Sequence, residues 1–260
     1  MDVIESVTQF YKEFKGEKGY IGVSEGGRLI PYIKTGHEKP VFIITGAIHA
    51  REYITSYLVL ELIKHFDDKK NKSTVYFVPM VNPDGVKICL YDKPLYKANL
   101  NGVDLNTNFD ARWGTGIKNV TYKNDENYIG SFPFSERETR ALRDFTVNVS
   151  PDMTISYHAK GEEIYYEFFQ NEQDLKRDYY LAKIAAASTG YKIKTPYGSA
   201  GGYKDWCIES LKIPALTIEV GSDRLTHPIG KEFLNGIFER NKNIIGDLTY
   251  GIKKIEEKRN

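Results

Sequence analysis

Four short runs of apolar, β-branched and aromatic residues constrain this chain most: residues 41–44, 75–81, 153–157 and 213–218. Each is bounded by Gly, Pro or charged residues, so each reads as a strand buried on both faces. Helical periodicity fills the spaces between them. One pattern runs from about Tyr53 to Phe66, with Ile54, Leu58 and Leu62 four residues apart. A second starts at Ser135, whose spacing to Glu138 has the form of a capping box, and puts Leu142 and Phe145 on one face. A third runs from about Leu175 to Ser188 and stops before Gly190, and a fourth holds Phe233, Ile237 and Ile244. Strands alternating with helices predict one α/β domain over residues 1–260. Its mixed, largely parallel central β-sheet would carry helices on both faces. Ligands of such sheets gather outside the carboxyl ends of the strands. Residues 82–134 lack sustained periodicity, and irregular stretches of that length are usually functional.

The charge balance narrows the partners. With 36 Lys and Arg against 35 Asp and Glu, the net charge is +1, which removes the main electrostatic argument for nucleic acid or an anionic membrane surface. No apolar run approaches the ~20 residues that span a bilayer. The first residues, MDVIESVTQFYKEF, lack a basic flank followed by an apolar stretch, so no signal peptide and a cytoplasmic location are expected. Cys89 and Cys207 are too few for a disulfide framework and read as small buried apolar residues.

Five histidines carry the chemical argument: His37, His49, His65, His158 and His227. His49 lies on the turn after the first buried run, with Glu52 three residues on, so imidazole and carboxylate can converge on one ion. The spacing alone is weak, since His65 has Asp68 at the same distance; there a histidine in the last turn of a helix complements the dipole. His37, in a Gly-His-Glu-Lys-Pro turn, reads as solvated. His158 ends the third run, and Glu219 ends the fourth, where a carboxylate is costly unless paired, metal-bound or catalytic. Two histidines and two glutamates at buried strand ends suit a zinc hydrolase with three ligands, an open fourth position and a base.

The segments His49-Ala50-Arg51-Glu52, Asn82-Pro83-Asp84-Gly85, Gly102-Val103-Asp104-Leu105-Asn106, Ser156-Tyr157-His158 and Thr217-Ile218-Glu219 follow one another in this order. Together they resemble the M14-type zinc carboxypeptidase family over nearly the whole chain. Residues 197–206 are similar to the family's mobile-tyrosine segment, with Tyr197 22 residues before Glu219. The resemblance implies one Zn2+ per chain held by His49, Glu52 and His158, with Glu219 as general base. It implies Lys97 as the group polarising the scissile carbonyl, Asp104 as the carboxylate orienting His49, and Tyr197, Asn106 and Arg51 in contact with a peptide substrate.

One position departs from the family. Where its pattern reads Asn-Arg-Asn, and the arginine binds the substrate's terminal carboxylate, this chain has Asn106-Thr107-Asn108. Threonine cannot supply that guanidinium fork. Residues 158–166 and 202–206 resemble bacterial γ-D-glutamyl-diamino-acid peptidases, which implies hydrolysis of γ-D-glutamyl–diaminopimelate bonds in murein stem peptides. Glu162 or Glu163 with Arg112 or Arg224 are candidates to read the diaminopimelate zwitterion. The alternatives are a conventional metallocarboxypeptidase on L-peptides, with Arg112 in place of the missing arginine, and a non-catalytic cell-wall peptide-binding module.

Overall fold

Val3 to Glu13 form helix α1, capped by Asp2, whose carboxylate accepts from the Glu5 backbone N–H while Glu5 reaches back to the Asp2 N–H. The computed structural model describes residues 1–66, 72–123 and 126–257, so Asp68 lies outside the described residues. Eight strands follow: β1 (Lys18–Val23), β2 (Leu29–Thr35), β3 (Glu38–Thr45), β4 (Ser73–Val78), β5 (Met153–Ala159), β6 (Glu163–Tyr165), β7 (Lys192–Lys194) and β8 (Ala215–Val220). They make one sheet in the order β1-β2-β4-β3-β5-β8-β6-β7. The four buried runs supply its parallel centre, β4-β3-β5-β8. Its margins are antiparallel, β1 on β2, β2 on β4 and β6 on β8, with β7 parallel to β6 at the far edge.

Alternation along the strands divides the molecule. Phe42, Ile44, Val75, Phe77, Ile155, Tyr157, Leu216 and Ile218 face one side and join the larger core. That core is completed by α2 (Ile54–His65), α5 (Glu172–Thr189), α7 (Leu234–Asn241) and α8 (Ile244–Glu257). The smaller core, on the other side, gathers Ala215, Val78 and Leu105 around Phe109, Phe134, Tyr203 and Trp206. Its helices are α4 (Arg137–Val149) and α6 (Tyr203–Leu211); α3 (Pro83–Tyr91) opens the irregular stretch. Helices thus cover both faces of a mixed sheet, as expected. Among the described residues no helix is long and apolar enough to cross a membrane.

Several boundaries differ from expectation. The second run ends as a strand at Val78, because Pro79 begins a turn in which the Val81 N–H donates to Gly46 O at 3.1 Å. The fourth run is displaced to 215–220, which puts Glu219 inside the strand. Ser135 does not cap α4: Glu136 takes the cap position, the Ser135 hydroxyl donates to the Glu136 carboxylate, and Glu138 instead accepts from the Glu25 N–H. The last helical pattern is two helices, with Phe233 in an exposed 3-10 turn before α7. Both cysteines are free and buried.

Candidate active site

Strand register brings the chemistry together. On the face opposite the larger core, β5 presents Ser156 and His158, β8 presents Thr217 and Glu219, and β6 presents Glu163 and Tyr165. His158 pairs across the ladder with Glu219, and Glu219 with Glu163. His49 and Glu52 arrive from the loop after β3. There Ala47 takes a left-handed φ of 46°, and its N–H donates to Thr55 Oγ1 at 2.8 Å. The chain then enters a 3-10 turn, Ala50–Glu52, which puts both side chains on one side.

Glu52 sits between the two imidazoles. Its Oε1 is 2.8 Å from His49 Nδ1 and its Oε2 3.0 Å from His158 Nδ1; the two Nδ1 atoms are 3.2 Å apart. His49 Nε2 lies 3.1 Å from Asp104 Oδ1, and His158 Nε2 lies 3.2 Å from Ser156 Oγ. With Nε2 donating outward in both rings, both Nδ1 lone pairs point at the same space. One donor atom from each of His49, Glu52 and His158 falls within 4.8 Å of the others. Two imidazole nitrogens and a carboxylate are the donor set that zinc favours in catalytic centres, so these three residues fit that ion.

The same groups shift one another's protonation. Burial opposes ionisation of Glu52, yet His49 and His158 hold its pKa far below the usual carboxylate range. Burial lowers the His49 pKa, but Glu52, with Asp104, overrides it and lifts the value to about 9 against the positive Lys97. Burial dominates at His158, whose pKa falls despite Glu52. Glu219 is driven well above the carboxylate range by burial and by the Glu52 charge. Lys97 pairs with Asp104 at 2.6 Å and donates to Asn127 Oδ1 at 2.6 Å; burial opposes its charge, but Asp104 keeps it cationic.

These groups border a cleft of about 290 Å³, whose lining includes His49, Lys97, Asp104, Asn106, Thr107, Tyr197 and Glu219. Its far wall is the 198–202 loop, tied to the 105–111 segment by Phe109 N–H to Gly201 O and Gly201 N–H to Ala111 O, both 2.9 Å. Gly201, at φ 82°, permits that approach, since a Cβ there would lie 2.6 Å from Thr107 O. Tyr197 stands at the rim, 92% exposed.

The remaining candidates lie elsewhere. Arg112 is exposed, pairs with Glu209 at 2.9 Å and stacks on Phe169. Glu162 pairs with Arg240 at 2.6 Å, and Arg224 is exposed on the loop after β8. Arg51 turns to Glu126 at 2.9 Å. Glu163 neighbours Glu219 but accepts from Tyr165 Oη at 2.6 Å and lies 3.6 Å from Lys194. None of these five lines the cleft, which among the described residues has no arginine. Sequence reasoning missed Ser156 as the support of His158, Asn127 as that of Lys97, and Lys204 with Asp205 in the cleft wall. The last pair carried a signal: adjacent opposite charges between Tyr203 and Trp206 in an otherwise apolar segment.

The comparisons agree with this geometry. The chain is 27% identical over 247 residues to the Gamma-D-glutamyl-L-diamino acid endopeptidase 1 of Lysinibacillus sphaericus, covering 81% of this chain and 62% of that protein. It is also 27% identical over 237 residues to the Carboxypeptidase B of Astacus astacus, covering 78% of each. Bovine thrombin-activatable fibrinolysis inhibitor, solved with a tick carboxypeptidase inhibitor, superposes with a TM-score of 0.85 at 21% identity over 98% of both chains. The model of the Zinc carboxypeptidase family matches residues 16–235. The chain therefore belongs to the zinc carboxypeptidase family and is a zinc-dependent metallopeptidase.

Proposed function

We propose that the bond cleaved by this metallopeptidase is the γ-D-glutamyl–diaminopimelate linkage of murein stem peptides. Zinc, when held by His49, Glu52 and His158, supplies a Lewis acid that lowers the pKa of a water and polarises a carbonyl oxygen. Glu219, on the neighbouring strand, accepts the proton of the attacking water at its carboxylate and delivers it to the leaving nitrogen. Lys97 donates to the oxygen that gains negative charge, and Asp104 and Asn127 fix its ammonium for that task. Asn106 and Tyr197 contact the peptide from the wall and the rim.

The observation that carries the substrate reading is Thr107 in a cleft wall that has no arginine among the described residues, so that none of them offers a bidentate grip on a peptide's terminal carboxylate. The similarity to an endopeptidase named for γ-D-glutamyl-L-diamino acids supports the same reading. The same 27% identity to a carboxypeptidase B favours a second one, release of C-terminal residues from L-peptides. Comparing kcat/KM on a γ-D-glutamyl–diaminopimelate peptide and on an L-peptide of equal size separates them. Preference for the L-peptide overturns the murein reading.

A further inference from the structure

Asn99 is fully buried and lies in the chain between two residues of the site, Lys97 and Asp104. Every polar atom it has is engaged. Its N–H donates to Val103 O at 2.9 Å, and its carbonyl accepts from the Gly102 N–H at 3.1 Å and from Tyr96 Oη at 2.5 Å. Its Oδ1 accepts from the N–H groups of Asn101 and Val103, both at 3.0 Å. These bonds close residues 99–103 into a loop, with Gly102 at φ 80°. The limb before the loop is tied to the turn that carries His49 and Glu52, since Lys97 O accepts from the Ala50 N–H at 2.9 Å. The limb after it is tied elsewhere, since the Asp104 N–H donates to Tyr128 O at 2.8 Å. Asn99 joins the two limbs whose side chains, Lys97 and Asp104, meet at 2.6 Å. The carboxamide is itself anchored: Nδ2 donates to Glu136 Oε2 at 2.7 Å and to Glu138 Oε2 at 3.2 Å, at the start of α4. Glu138 is fully buried, Glu136 is 4% exposed, and neither lines the cleft. Their other hydrogen bonds come from neutral groups, Asn101 Nδ2 and Ser135 Oγ to Glu136 and the Glu25 N–H to Glu138. Bringing two carboxyl groups out of water onto one carboxamide carries a cost that closing a loop does not require.

We propose that Asn99 is a positioning residue of the active site: anchored by Glu136 and Glu138, it sets the Lys97 ammonium against Asp104. The lysine stem is flexible, and its ammonium is fixed by Asp104 and by Asn127 Oδ1, each at 2.6 Å. Both contacts loosen if the two limbs drift apart. A displacement of ~1 Å at a group that meets the reacting oxygen costs up to ~100-fold in rate. The inference rests on the proposed function for the consequence to rate, through the role of Lys97, but not for the existence of the brace.

The test uses any peptide that the parent hydrolyses. Asn99→Asp keeps the acceptor for Asn101 and Val103 but loses the donor to Glu136 and Glu138. It should lower kcat by ~10- to 100-fold with KM nearly unchanged. Asn99→Asp/Glu136→Gln, in which donor and acceptor change places, should recover most of that loss. In a Lys97→Met background Asn99→Asp should cost no further kcat, because both act through one ammonium. Losses that multiply, or a swapped pair no better than the single variant, overturn the proposal. If Asn99→Asp alone does not fold, Gly102→Ala strains the same loop at its positive φ and should lower kcat in the parent but not in the Lys97→Met background. Lysine acetylation mapped by mass spectrometry reads the brace without turnover. Lys97 should react several-fold faster in Asn99→Asp, or in Gly102→Ala, while the other lysines keep their rates. Parental kcat in Lys97→Met overturns the proposed role of Lys97 alone, and the acetylation rate at Lys97 then decides the brace. An unchanged rate there overturns it.

Discussion

Replacing Asp104 by asparagine tests how His49 is held. Asp104 is 1% exposed and serves three neighbours: Oδ1 accepts from His49 Nε2 at 3.1 Å and from the Asn106 N–H at 3.0 Å, and Oδ2 pairs with Lys97 at 2.6 Å. Asparagine can keep the first two bonds through its oxygen, but its NH2 then faces the Lys97 ammonium. Removing one partner of a buried pair costs ~3–5 kcal/mol. Lys97 is 16% exposed and retains Asn127 Oδ1, so the expected loss of stability is nearer ~2 kcal/mol by the same reasoning. His49 also loses the anion behind its N–H, which lowers the basicity of Nδ1; partners of this kind are worth ~10- to 100-fold in metal affinity. Competition with a chromogenic zinc chelator gives the affinity, and melting with and without zinc gives the stability. A hundredfold weaker site should reduce the zinc-induced stabilisation by ~2.7 kcal/mol at saturating metal. Parental zinc affinity in a folded Asp104→Asn protein would refute the idea that Asp104 supports a ligand.

Three further outcomes follow from the geometry. Glu219→Gln should lower kcat by ~10²- to 10⁴-fold while zinc content by metal analysis stays at one per chain; near-parental turnover would place the base elsewhere. Thr107→Arg should shift the kcat/KM ratio toward L-peptides with a free terminus and away from γ-D-glutamyl–diaminopimelate peptides, and an unmoved ratio would mean that position 107 does not meet the substrate carboxylate. Burial lifts the Glu138 pKa from 4.5 to about 7, so the favoured folded form is protonated. Its stabilisation is complete below pH 4.5 and lost as pH rises through 7, by up to ~3 kcal/mol. Melts of the parent and Glu138→Gln from pH 5 to pH 8 should therefore diverge in favour of the variant, whereas a constant gap would count against this.

The parallel centre of the sheet was legible because strands buried on both faces must be continuously apolar, and a charged residue in such a run, His158 or Glu219, stands out. The edge strands were not. β6 and β7 have three residues each, too few for any periodicity, although β6 places Glu163 beside Glu219. Destinations of surface charges were equally hidden: Arg112 meets Glu209 97 residues away, and Glu162 meets Arg240, contacts that only the assembled fold creates. Ser135 and Glu138 have the spacing of a cap, but Glu138 is drawn into contact with the β1–β2 turn instead. Local pattern loses there to a long-range backbone donor.

The alternation that sends Tyr157 to one core and His158 to the cleft also limits how the site can vary. A single residue inserted early in β5 or β8 would slip every later side chain to the opposite face, taking His158 or Glu219 into the larger core and turning an apolar neighbour toward the substrate. Point substitutions can weaken this centre by degrees, but a change in strand length has no partial form. Room for gradual change in length lies in irregular segments such as residues 112–123, which bring Lys118 and Asn119 to the cleft but carry neither Lys97 nor Asp104. Insertions there can reshape the peptide-binding wall while the strand ladder keeps His158 and Glu219 side by side.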